Sequence, residues 1–233
     1  MEKNNKIVTL EMVKNCKEVS VLMKYAENQL AVMGYTEHGT RHVCITVKRL
    51  TDILTKIGAS KREVELGQIA AYMHDIGNCV NRDGHPETGA VLTYNILLKL
   101  GMDEDEAAQI LSAIGNHDEK AGKPVSKISA ALILADKSDV HRSRVRKNRI
   151  DAIKQKLVDG ADIHDRVNFA VEKSELVVCP KTSEILFELV IDTEISSAMD
   201  YFDIFLERMR MCKSAAQYLG YQFKMSVNDY RLV

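Results

Sequence analysis

Apolar positions recur at helical spacing through the first two thirds of the chain and then change to alternation. The spacing predicts helices over 8–33 and 37–57, stopped by Gly34 and Gly58. A third is predicted over 60–75, with Leu66, Ile69, Ala70 and Met73 on one stripe. Residues 77–84 read as a loop, and 86–100 as a fourth helix with proline tolerated in its first turn. Asp103 and Glu106 mark the reciprocal cap of a fifth helix, whose inner face carries Ile110, Ile114 and His117. Ser126 caps a sixth, with Ile128, Leu132 and Asp136 on one face. The basic segment HRSRVRKNR leads into further helix through 157.

After Gly160 the pattern changes. Val167, Phe169 and Val171 alternate as in a strand, and ELVVC and EILFELVID are β-branched runs split by a turn around PKTS. A long helix is predicted over 195–219, then a last strand, QFKMSV, and a turn at Asn228-Asp229. The expected architecture is mainly α: a helical bundle over 1–160, followed over 161–233 by a small α+β region of antiparallel strands and one long helix.

Composition narrows the functional classes. A net charge of −1 gives no bulk signal for nucleic acid, and aromatic-basic interleaving is missing. No apolar run is long enough to span a bilayer, and the polar N-terminus MEKNNKIVTL does not read as a secretory signal. The five cysteines are scattered, odd in number and never spaced CxxC. Reduced thiols and a cytoplasmic location are therefore expected, without a thiolate zinc site.

The candidate chemistry lies in histidines and aspartates on apolar faces. His74-Asp75 ends the third helix, and Asp136 shares a face with Leu132 and Ile128, where an unpaired carboxylate is costly. His38 stands upstream, and His85 and His117 downstream. Taken singly, each histidine reads as a helix-start, surface or satisfied core residue. Together they point to a metal ion, and imidazole plus carboxylate suits Fe, Mn, Co, Ni or Zn.

The strings EHGTRHV, MHDIGN and LILADKSD, in that order, resemble the HD superfamily of metal-dependent phosphohydrolases over residues 30–150. The resemblance implies a first metal held by His38, His74, Asp75 and Asp136. HPETGA and GNHDE resemble the extra histidine segments of two-metal members, which implies His85 and His117 on a second ion with Asp75 bridging. Asn116-His117 followed by AGKP departs from the subgroup that cleaves cyclic dinucleotides, whereas LADKSDVHRSR is closer to the subgroup acting on dinucleoside polyphosphates.

The expected reaction is hydrolysis of a phosphoester or phosphoanhydride bond in a nucleotide-like substrate by a metal-activated water, with one or two divalent ions. Asp75 and Lys137 are the candidate catalytic groups. Lys137, Arg142 and Arg41 are the candidate phosphate contacts. His42, His141 and His164 are left outside the ligand set. The alternatives are a di-iron oxygenase on the same scaffold and a non-catalytic module that binds a nucleotide or partner. The C-terminal region is compatible with a homodimer.

Overall fold

The computed structural model describes residues 6–154 and 162–232. The sequence expectations of helix through 157 and of a boundary at 160 therefore end outside the described residues. The first predicted helix is two: α1 (Leu10–Lys14) and α2 (Lys17–Val32). Thr9 caps α1 and the chain turns at Asn15, whose side chain reaches back to Glu11 Oε1 at 2.9 Å. The break lets Val8, Val13 and Val19 all bury, which one straight helix does not allow.

The next helices follow the predicted pattern: α3 (Thr40–Lys56), α4 (Lys61–Met73), α5 (His85–Leu100) and α6 (Glu104–Gly115). Ser60 and Glu63 form a complete capping box on α4, and Asp103 caps α6. α7 (Lys127–Lys137) is the centre of the bundle. Every residue from Ile128 to Lys137 is buried, so this helix is apolar nearly all round. It packs against α3, α4, α6 and the long C-terminal helix. Ile133→Ala in its middle should cost about 2–5 kcal/mol, read by urea unfolding. A change below about 1 kcal/mol would mean that the bundle is not packed around this residue.

A short helix α8 (Lys147–Lys154) follows. The segment read as a strand through Val167 and Phe169 is instead helix α9 (Ile163–Ala170). Asp162 caps it through the His164 amide, and Val167 and Ala170 face inward. The cap outweighs the two-residue alternation, which is too short to fix a strand. Strand pairing begins at Val171.

The sheet has order β1 (Val171–Cys179), β2 (Glu184–Ile191), β3 (Gln222–Val227) and β4 (Tyr230–Arg231). β1·β2 and β3·β4 are antiparallel; β2·β3 is parallel. A parallel pair needs a long crossover, and α10 (Ala198–Tyr218) supplies it. Asn228 and Asp229 both have positive φ, as a tight hairpin between β3 and β4 requires. α10 packs on α7, and Arg208 at its middle reaches Glu119.

Candidate metal centre

α4 ends at Met73, and the chain tightens into a single turn at 76–79 that packs against the start of α5. Two glycines make this approach possible. A Cβ on Gly77 would lie 2.0 Å from the His85 carbonyl oxygen and 2.5 Å from the Gly89 nitrogen. The contact brings His74 and Asp75, at the end of α4, beside His85 at the start of α5. His117 follows α6, Asp136 sits in the last turn of α7, and α3 contributes His42.

Five imidazoles share one arrangement. Nδ1 of His38, His74, His85 and His117 donates to a backbone carbonyl: Thr36 at 2.7 Å, Ala71 at 2.8 Å, Arg82 at 2.9 Å and Ile114 at 2.6 Å. His42 Nδ1 donates to Asp139 Oδ2 at 2.8 Å. A carbonyl or carboxylate only accepts, so each Nδ1 carries a hydrogen, and in the neutral ring Nε2 is the free nitrogen. Four of these Nε2 atoms converge in two pairs. His42 and His74 are 3.2 Å apart, and His85 and His117 are 3.3 Å apart. Asp136 Oδ1 lies 3.2 Å from His42 Nε2 and 3.6 Å from His74 Nε2. Asp75 Oδ2 lies 3.4 Å from His74 Nε2, and Asp75 Oδ1 lies 3.5 Å from His85 Nε2. Asp75 Oδ2 is buried and accepts no hydrogen bond among the described residues.

Two sets have metal-binding spacing, their ligand atoms all within 4.8 Å of one another: His42 with His74 and Asp136, and His74 with Asp75 and His117. The donor set fits a divalent cation. Facing ring nitrogens and an orphaned carboxylate oxygen are unfavourable unless a cation or a proton sits among them. The charges agree. Burial alone would raise Asp75 and Asp136, yet His74 beside the first and Lys137 beside the second hold both well below the usual carboxylate range. Burial lowers His38, His85 and His117. Burial also acts to lower His74, but Asp75 and Asp136 override it and push this imidazole up to about 10.

The structure changes several expectations from the sequence. His42, not His38, stands in the tight first set; His38 faces the same cavity from just before α3, its ring centroid 5.5 Å from that of His42. Arg41 does not reach the cavity, because its guanidinium forks onto Asp139 at 2.9 and 3.1 Å. Arg142 also points away, pairing with Glu172 at 2.9 Å and stacking over Phe169. Lys137 lines the cavity but is held among Asp136 at 2.9 Å, Glu119 at 2.7 Å and Asp118 at 3.5 Å. Against burial, Asp136 and Glu119 raise its pKa, and its geometry is that of a positioning group: Lys137 holds Asp136 Oδ2 while Oδ1 faces the histidines.

The sequence does not single out Arg82 or Arg208; it offers Arg144 as one of several possible phosphate contacts and Asp139 as the partner of a nearby arginine. Asp139 is almost fully buried, and its two oxygens serve both His42 and Arg41. Burial raises it, but the His42 hydrogen bond and the Arg144 charge hold it far below the usual range. Asp139→Ala should weaken metal binding about 10–100-fold, as loss of a group that orients a ligand histidine does. Competition with a chromophoric chelator measures this, and wild-type affinity would show that His42 needs no orienting partner. His141 and His164 lie outside this cavity.

Residues 40–166 match the HD domain family. An uncharacterized protein of Methanocaldococcus jannaschii, MJ1020, is 31% identical over 195 residues, covering 73% of this chain and 71% of that protein. No helix among the described residues is long and apolar enough to cross a membrane.

Proposed function

The chain belongs to the HD-domain family, and on that premise we propose that it is a metal-dependent phosphohydrolase acting on a phosphoester or phosphoanhydride bond of a nucleotide-like substrate. The observation that carries this reading is the convergence of the Nε2 atoms of His42, His74, His85 and His117 with Asp75 and Asp136, beside a small cavity that His38 and three arginines also line. In this assignment His42, His74, Asp75 and Asp136 hold one divalent ion. Asp75, His85 and His117 hold a second, and His38 lines the same cavity. Asp75 is the shared residue because its two oxygens face different histidines.

Such an ion, when bound, polarises a phosphoryl oxygen and lowers the pKa of a water. The chain's own residues do the rest. Lys137 and Asp139 lock Asp136 and His42 in place, so that little reorganisation is needed during reaction. Arg82, Arg144 and Arg208 supply the positive charge that a phosphate requires.

The test is a panel of phosphomonoesters, phosphodiesters and nucleoside polyphosphates, with protein supplied with Mn, Co, Fe, Ni or Zn under air and under argon. Turnover without oxygen, abolished by chelator and restored by metal, is the expected result. Activity that consumes oxygen points to the oxygenase alternative. A metal-loaded protein inert across the panel points to the binding module.

A further inference from the structure

The family match ends at residue 166, yet the cavity does not. Arg208, on α10, lines it together with Arg82 and Arg144. We propose that α10 completes the active site: Arg208, Arg82 and Arg144 together hold the phosphate, and the adjoining chamber between Tyr35 and Phe205 takes the group attached to it. This rests on the phosphohydrolase reading and adds a specificity element drawn from outside the matched region.

Three observations carry it. First, Arg208 is held at one end only. Its Nε donates to Glu119 Oε1 at 2.9 Å, and its guanidinium carbon stacks 4.6 Å over the Phe205 ring. The two terminal nitrogens make no hydrogen bond among the described residues, and they are the pair suited to a bidentate phosphate contact. Second, three guanidinium groups line one small cavity, and each keeps its Nη2 out of any hydrogen bond among the described residues, although each has a carboxylate nearby: Asp139 at 3.8 Å from Arg144, Asp75 at 3.8 Å from Arg82 and Glu119 at 2.9 Å from Arg208. Arg144 spends Nε and Nη1 on the carbonyls of Glu37 and Asp139, and the Nη1 of Arg82 is 3.8 Å from Asp75 Oδ1. A phosphate entering the cavity meets these free terminal nitrogens.

Third, the same three arginines and His38 also line a second cavity of about 170 Å³, walled by Tyr35, Asp165, Asn168 and Phe205. The arginines therefore stand between the histidines and this chamber. The Asn168 Nδ2 is used on the His164 carbonyl, which leaves its Oδ1 as an acceptor. Ligand pockets for drug-sized molecules run to about 300–1,000 Å³. The smaller volume suits a group of about one ring, such as the sugar next to a phosphate, and an acceptor on the wall suits its hydroxyls.

Isothermal titration of the metal-loaded full chain with inorganic phosphate and with ribose 5-phosphate tests this. Arg208→Ala should weaken phosphate about tenfold or more, and Arg142→Ala should leave it unchanged. Arg208→Gln keeps an amide for Glu119 and removes the charge, so it gives the same answer where the alanine variant does not fold. Arg208→Lys should fall between, since it keeps the charge and loses the fork. Ribose 5-phosphate should bind more tightly than phosphate, and Asn168→Leu should remove that gain.

Wild-type phosphate affinity in both Arg208→Ala and Arg208→Gln, or no phosphate binding by the wild type, overturns the arginine assignment. Equal affinity for the two ligands overturns the chamber assignment. Metal content on the same samples separates the two readings. Metal bound but phosphate indifferent to Arg208 sinks this inference alone. Phosphate lost in Arg208→Ala by a protein that takes up no metal sinks the metal reading alone.

Discussion

Asp75→Ala is expected to lower kcat/KM for phosphoester hydrolysis by more than the 10–100-fold that follows loss of a supporting residue, and to leave the chain folded. Asp75 is the residue whose two oxygens face different histidines: Oδ2 toward His74 and Oδ1 toward His85. Oδ1 is steadied by Asn78 Nδ2 at 2.9 Å, while Oδ2 is buried without a hydrogen bond among the described residues. A carboxylate kept ionised and unsatisfied inside a protein is a stability cost, tolerated where function uses it. Removing it takes away a ligand and half of the negative charge that balances His74. Arg142→Ala, which changes an outward-facing arginine paired with Glu172, should retain activity. Activity in Asp75→Ala equal to that of Arg142→Ala would mean that the reaction occurs elsewhere.

Gly77→Ala is expected to be the most destabilising single methyl addition in the chain, at about 4 kcal/mol or more. The obstacle is backbone, since the new Cβ would sit 2.0 Å from the His85 carbonyl oxygen and 2.5 Å from the Gly89 nitrogen. A side chain can rotate away, but here α5 itself must move, and it carries His85. Gly58→Ala is the control. Its φ is +78° and nothing lies within 4 Å of the added atom, so only the left-handed backbone is penalised, by about 1 kcal/mol. Urea unfolding of both variants gives the comparison. Equal small losses would mean that the α4–α5 junction is looser than these distances, and that His85 is not held against Asp75.

The sequence made the helical bundle and part of the site legible for identifiable reasons. His74-Asp75 and Asp136 stood out because charged groups at apolar positions are costly, and each is buried. The choice between His38 and His42 depended on a detail that periodicity does not encode. Gly39 starts α3, so His38 precedes the helix and the two histidines do not share one helical face. Arg41 reads as a phosphate contact and Asp139 as the partner of a nearby arginine; that the two pair with each other across a long sequence separation is not readable. Arg208 carried no signal at all, since one arginine in an amphipathic helix reads as a solvated residue. Only the packing of α10 against α7 turns it inward.

The fold shows the same division. Asp162 is an ordinary helix cap, but the alternation of Val167, Phe169 and Val171 has the period of a strand, and the two local signals conflict over α9. Antiparallel pairing of β1 with β2 followed from the turn between them. The parallel pairing of β2 with β3 depended on where α10 returns the chain, which local pattern does not specify.

The central claim is that the buried histidine and aspartate cluster holds metal. Elemental analysis of protein purified without chelator, for wild type and His85→Ala, tests it most directly. The account predicts about two metals per chain in the wild type and about one in His85→Ala, as expected for two ions sharing Asp75. No metal in either protein, even after reconstitution with Mn, Fe, Co, Ni or Zn, would contradict it.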